Sequence, residues 1–178
     1  MKNIILGVII GLLLAFGGYK TLSWLEQQNQ LDVSILPSYS TTFDKEANAT
    51  ANLAEAIIKA TKEQKNILLI AGGDWCRWCG TMSNFLEEHP TLQQELYTKF
   101  EVIRLYYGKG INSSAKALIK KYGKPKGTPY FYVLDSQGAL LTPYRTKKLE
   151  QGYGYSKIKF SEFIKKYSKL KTITKDTK

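Results

Sequence analysis

The chain contains only two cysteines, three residues apart, in the segment Gly72-Gly73-Asp74-Trp75-Cys76-Arg77-Trp78-Cys79-Gly80. Thiols at this spacing, directly after the apolar run Ile67-Leu68-Leu69-Ile70, are more often a redox pair than anything else. The run reads as a buried strand and the segment after Cys76 as a helix. Cys76 then falls at a helix N-terminus, where unpaired N–H groups and the macrodipole favour negative charge. That environment lowers a thiol pKa, and the thiolate is the species that attacks a disulfide. Cys79, one turn on, is placed to close a short disulfide or to resolve a mixed one.

Other uses of the pair are poorly supplied. A structural zinc ion takes four ligands, usually thiolate or imidazole, and the chain offers one histidine, His89, and no third thiol. Haem attachment requires a histidine directly after the second cysteine, where Gly80 stands. A static staple gains little from so small a loop. His89, preceding Pro90, reads as a helix-end residue rather than a catalyst. No metal and no organic cofactor is expected.

The elements that must position the pair follow from periodicity. A helix is predicted over Asn52–Lys65, with Leu53, Ala54, Ile57, Ile58 and Ala60 at helical spacing. The strand 67–71 follows. After the cysteines, Met82, Phe85 and Leu86 continue a helical stripe that Pro90 interrupts, and a helix resumes over Thr91–Lys99 with Thr91 as its cap. Further strands are predicted over Glu101–Tyr107, Thr128–Leu134 and Ala139–Arg145, the last with Pro143 and therefore at an edge. A helix over Ser113–Tyr122 ends at Gly123 and Pro125, and Asp135-Ser136-Gln137-Gly138 is a turn. Phe160–Leu170 closes the chain as a helix with Phe160, Phe163, Ile164 and Tyr167 on one face. Gly152-Tyr153-Gly154-Tyr155 reads as an aromatic loop packed at the domain edge. Strands alternating with helices, followed by a hairpin, imply an α/β fold with a central mixed sheet flanked by helices.

The ends of the chain carry separate signals. Lys2 precedes sixteen uncharged residues, Ile4 to Tyr19. As a helix these span about 24 Å, with Leu22, Trp24 and Leu25 extending the apolar stretch. Residues 1–25 therefore read as a signal peptide or a membrane anchor, with the rest exported. Ala15-Phe16-Gly17 is a passable cleavage site, and no cysteine is present there for lipid attachment. Gly7 and Gly11 form a G-x-x-x-G pair. Residues 26–48 read as a linker leading into a domain over 49–172, with a basic tail at 173–178. The net charge is +11. From Thr146 onward ten lysines face three acids, a surface able to attract anionic lipid or acidic partners. No nucleic-acid recognition motif accompanies the charge, and no nucleic-acid partner is expected.

Residues 45–170 resemble the thioredoxin superfamily. The resemblance rests on Asp74-Trp75-Cys76-Arg77-Trp78-Cys79 at a strand-to-helix junction, Gly127-Thr128-Pro129 opening a later strand, and the Asp135–Gly138 turn of the closing hairpin. With the apolar N-terminal segment, the chain is similar to membrane-tethered thioredoxin-like proteins of the bacterial envelope. The resemblance implies a thiol–disulfide oxidoreductase on the periplasmic side of the cytoplasmic membrane, or a periplasmic or secreted one if the segment is cleaved. Cys76 would be the nucleophile and Cys79 the resolving thiol. Trp75 would form an apolar lip, with Arg77 and Trp78 also facing substrate. Pro129 would be a cis-proline opposite the cysteines, and Thr128 would offer its backbone to an extended substrate. Partners would be protein substrates with disulfides or dithiols and a redox partner that recycles the pair. The alternative is a non-catalytic thioredoxin-like module recruiting an envelope partner.

Two departures from the family pattern stand out. The position six residues before the first cysteine, where many thioredoxins keep a buried carboxylate, is Ile70. Resolution by Cys79 then needs water or another base, and Glu101 is a carboxylate whose place the sequence does not fix. The cysteines enclose Arg77-Trp78, and a cation beside Cys76 favours its thiolate and so the reduced form, pushing the pair toward the oxidising side.

Overall fold

A computed structural model of the chain describes residues 32–169. The apolar segment 1–25, its Gly7/Gly11 pair and the tail 173–178 lie outside the described residues. Among the described residues, no helix is long and apolar enough to cross a membrane.

The sheet grows around β1, Asn66–Gly72, whose seven residues are all buried. A strand covered on both faces needs a continuous apolar run rather than alternation, and Ile67–Ile70 supplies it. β2, Phe100–Tyr106, lies parallel to β1 from Asn66↔Phe100 to Gly72↔Tyr106. β3, Tyr130–Leu134, lies antiparallel on the other side, with Ala71 opposite Tyr130. β4, Leu140–Arg145, completes the order β2-β1-β3-β4 as an edge strand. Pro143 sits on this edge opposite Tyr132, where its missing N–H costs no central ladder bond. The mixed sheet is as expected. β3 opens two residues later than predicted, because Pro129 has no N–H to give the ladder.

Helices cover both faces. α1 is a single turn, Ser38–Thr41, and α2 spans Ala49–Glu63. The Asn48 side chain caps α2 by accepting from the Ala51 N–H, so the helix begins earlier than its apolar stripe. Under α2 and α5, Ser113–Tyr122, the sheet presents Ile67, Leu69, Ala71, Tyr130 and Tyr132. The opposite face is covered by α3, Arg77–Glu87, α4, Pro90–Lys99, and α6, Lys157–Tyr167. There Phe131 packs against Phe160 and Phe163, with ring centres 6.3 and 5.3 Å away. Burying each such phenylalanine contributes about 1.5–3 kcal/mol.

Three expectations are corrected. Thr91 is not a cap: His89 occupies that position and Pro90 opens α4, where a missing N–H is harmless. The last helix begins at Lys157, not Phe160, and ends at Tyr167. The 152–155 loop is a small hairpin, β5 (Glu150–Gln151) with β6 (Gly154–Tyr155). Its Tyr153 is fully exposed while Tyr155 is buried.

The segment 32–48, read as part of a linker, packs onto the domain through Tyr39, Ser40 and Phe43, all buried. The Tyr39 hydroxyl donates to Glu101 Oε1 at 2.7 Å, and Lys59 Nζ lies 3.3 Å from Glu101 Oε2. Burial, then the Glu101 hydrogen bond, raises the Tyr39 phenol well above its ordinary value.

Candidate active site

β1 ends at Gly72 and the chain turns through Gly73, Asp74 and Trp75 into α3. Cys76 is the N-cap of α3, and its N–H donates to the Gly73 carbonyl at 3.0 Å. Cys76 and Cys79 are joined in a disulfide with Cα atoms 5.2 Å apart. The Cys79 N–H points at Cys76 Sγ, 3.1 Å away. That donor, with the macrodipole of α3 behind it, stabilises negative charge on Cys76 when the disulfide opens. Both sulfurs are largely covered, Cys76 being 5% and Cys79 2% exposed.

Trp75 is 57% exposed, and its indole lies over Gly73 and Gly108, where any Cβ would collide with it. Glycine at these two positions leaves room for the ring. Arg77 is exposed and Trp78 half-buried. Trp78 meets Tyr155 edge-to-face with ring centres 5.8 Å apart, and the Tyr155 hydroxyl donates to the Trp78 carbonyl at 3.3 Å. Burial first, then the Glu150 charge, raises the Tyr155 phenol, with a Thr146 hydrogen bond acting the other way. Tyr155 was assigned no role from the sequence, and nothing in its Gly-Tyr-Gly-Tyr context distinguishes the buried ring from exposed Tyr153.

The Thr128–Pro129 bond is cis. Pro129 is buried and Thr128 half-buried. The register Ala71↔Tyr130 brings this bond to the end of the sheet where β1 delivers the cysteines. Thr146 Oγ1 donates to the Pro129 carbonyl.

Behind Cys79 lies a cavity of about 270 Å³ bordered by Phe43, Asp74, Ser83 and Arg104. The Arg104 guanidinium donates to Ser83 Oγ at 3.0 Å and to the Ser40 carbonyl at 3.2 Å, and stacks on Phe43 at 5.2 Å. Arg104 is the register partner of Ile70. A cation therefore flanks the position where the family often keeps a carboxylate. Glu101 is excluded as a substitute: it pairs with Ile67, five residues or about 16 Å along the strand from the cysteine end. Phe43 and Arg104 escape a sequence reading because the first sits in a polar stretch and the second in an apolar strand.

Residues 48–136 match a family model described as thioredoxin-like. The chain belongs to the thioredoxin-like family. Solved structures agree on the fold. A disulphide isomerase from Xylella fastidiosa Temecula1 is 23% identical, with 75% of this chain and 98% of that one covered and a TM-score of 0.58. The oxidised DsbD C-terminal domain of Neisseria meningitidis is 22% identical over 71% of this chain and 99% of that one, at a TM-score of 0.54. Its reduced form is 26% identical over 66% and 96%, at 0.50. A search of curated proteins by sequence finds no match. Within this thioredoxin-like frame, Cys76, Cys79, Trp75, Arg77 and Trp78 share one loop and helix start, and Thr128 and Pro129 reach the same sheet end through β3.

Proposed function

We propose that this protein is a thiol–disulfide oxidoreductase of the cell envelope that exchanges disulfides with protein substrates through Cys76 and Cys79. The observation that carries the reading is the Cys76–Cys79 disulfide capping α3 in a thioredoxin-like fold. The likeness to a protein named disulphide isomerase supports disulfides as the substrate bond. The apolar N-terminal run behind Lys2 supports export and a membrane tether.

In the reductive direction the Cys76 thiolate attacks one sulfur of a substrate disulfide. That S–S bond breaks, and the electron pair leaves on the second substrate sulfur, which takes up a proton. Cys79, as thiolate, then attacks Cys76 Sγ, forms the Cys76–Cys79 disulfide and releases the first substrate sulfur. The substrate gains two electrons, the pair loses two, and a redox partner restores it. The reverse sequence donates the disulfide to a substrate dithiol. Trp75 and Trp78 supply apolar contact to the substrate, Arg77 a charge beside the nucleophile, and Thr128 with Pro129 the opposite wall.

The test is a trap. Full-length Cys79→Ser is expected to accumulate mixed disulfides with envelope proteins, and Cys76→Ser to form none. Equal phenotypes for wild type and Cys76→Ser would leave only the binding-module reading. A membrane-impermeant maleimide is expected to label the reduced pair in intact spheroplasts. Protection until lysis refutes the envelope location.

A further inference from the structure

The loop Lys126-Gly127-Thr128-Pro129 meets the turn Arg145-Thr146-Lys147 around a second cavity, of about 200 Å³. Lys126, Arg145 and Lys147 border it, with Glu150 as its one bordering carboxylate. All three cations are exposed, and none forms an ion pair with a described carboxylate. The surrounding sequence is strongly cationic. Between Lys109 and Lys148 the chain holds nine cations and a single acid, Asp135. Asp135 is buried, and its Oδ1 accepts the Gln137 and Ala139 N–H groups to hold the β3–β4 turn. A concave surface with an excess of unpaired cations focuses positive potential and favours an anionic occupant.

The place of this cavity decides which anion. Thr128 and Pro129 form its wall, and the Thr128 main chain makes no hydrogen bond to any described residue. The same wall carries the cis Thr128–Pro129 bond, at the sheet end where β1 delivers the cysteines. An extended segment pairing with the Thr128 backbone while presenting a sulfur to Cys76 would carry its neighbouring side chains past the three cations. We propose that the cavity is a subsite for a carboxylate side chain of the substrate, so that the protein exchanges disulfides preferentially with acidic, extended segments. The proposal rests on the exchange activity inferred above and adds the substrate class to it.

The test uses the full-length reduced protein and short peptides with a single cysteine held in a mixed disulfide with 2-mercaptoethanol. The cysteine is flanked by aspartates in one peptide and by lysines in the other. Hydroxyethyl disulfide serves as a neutral small probe of wild type. The acidic peptide is expected to react about tenfold faster than the basic one at low salt, with the ratio collapsing as salt is added. The triple variant Lys126→Glu, Arg145→Glu, Lys147→Glu is expected to invert the ratio. The control Lys62→Glu, Lys99→Glu, Lys165→Glu changes the net charge equally away from the cavity and is expected to keep the preference for the acidic peptide. Equal rates for both peptides, or equal losses of preference in the two triple variants, overturn the subsite. Binding to phosphatidylglycerol vesicles that the cavity variant alone loses, with the peptide ratio unmoved, assigns the cations to lipid and also overturns it. Wild type that fails even with hydroxyethyl disulfide refutes the exchange activity itself, a result distinct from exchange without preference.

Discussion

Replacing Arg104 by methionine is expected to make the Cys76–Cys79 pair more reducing, by an amount the contacts allow to be worked out. The guanidinium carbon lies 5.2 Å from the centre of the Phe43 ring. The far edge of that ring and Cys79 Sγ both converge on the point a Cβ of Gly72 would occupy, at 3.0 and 2.6 Å. The chain of contacts puts the guanidinium-to-sulfur separation at no more than about 12 Å, and at that greatest separation two unit charges at an effective dielectric of about 20 interact by about 1.4 kcal/mol. Arg104 is half-buried, and screening by solvent removes up to half of this, leaving about 0.7–1.4 kcal/mol. The charge stabilises the reduced pair, where Cys79 can be a thiolate, and does nothing for the neutral disulfide. At about 30 mV per 1.4 kcal/mol for two electrons, Arg104→Met is expected to lower the potential by about 15–30 mV.

The assay is equilibration with glutathione, read by alkylation of free thiols, across a pH series. The shift is expected where Cys79 ionises and to vanish at acidic pH, where both thiols are protonated. Arg104→Lys keeps the charge but loses the fork that bonds Ser40 and Ser83, so it separates field from scaffold. An unchanged or raised potential in Arg104→Met refutes the argument. So does an equal drop in Arg104→Lys, which would place the effect in the lost hydrogen bonds.

The buried polar groups carry three further predictions. Lys59→Met leaves the Glu101 carboxylate with the Tyr39 hydroxyl alone and is expected to cost about 1–3 kcal/mol in urea unfolding, less than a fully buried pair because the Lys59 side chain is 36% exposed. Glu101→Gln is expected to leave the disulfide-exchange rate unchanged, and a large fall in rate would restore Glu101 as the base serving Cys79. The phenols of Tyr39, Tyr132, Tyr144 and Tyr155 are all raised, burial being the first cause in each. The folded state keeps these protons longer than the unfolded chain, so their stabilisation is complete below about pH 10 and is lost as pH rises beyond it. The urea midpoint is expected to fall from about pH 10 upward and to fall less steeply in Tyr132→Phe; a slope identical to wild type refutes the assignment.

The sheet was legible in the sequence because two-sided burial writes itself as unbroken apolar runs, as in Ile67–Ile70. The Asp135–Gly138 turn was legible for a local reason, since Asp135 binds the next N–H groups and Gly138 takes a φ of 77°. The cysteine pair was legible from its spacing after an apolar strand, and the cis bond before Pro129 through the family pattern. The surroundings of the sulfurs were not. Phe43 reaches Gly72, Arg104 reaches Ser40 and Ser83, and Tyr155 reaches Trp78 only after distant segments have packed together. Periodicity reports which face of an element is covered, never by what. Glu101 shows the same limit from the other side: only the β1–β2 register places it away from the cysteines.

These placements bear on the direction of electron flow. The carboxylates buried in the described domain, Glu101 and Asp135, are each committed elsewhere, one to Tyr39 and Lys59, the other to a turn. The carboxylate bordering the Cys79 cavity is Asp74, which is exposed, so water screens it more than the half-buried Arg104. Arg77, beside Cys76, adds a second cation. If the half-buried Arg104 outweighs the exposed charges, the field at the sulfurs favours the reduced pair over the disulfide, and the pair is expected to be a better oxidant than the same fold with a carboxylate at position 70. The asymmetry is measurable with one more variant. Asp74→Asn is expected to raise the potential by less than Arg104→Met lowers it, leaving the double variant below wild type. A rise that exceeds the Arg104→Met drop would mean that the exposed carboxylate, not the stacked guanidinium, dominates the sulfurs, and the case for an oxidising pair would fail.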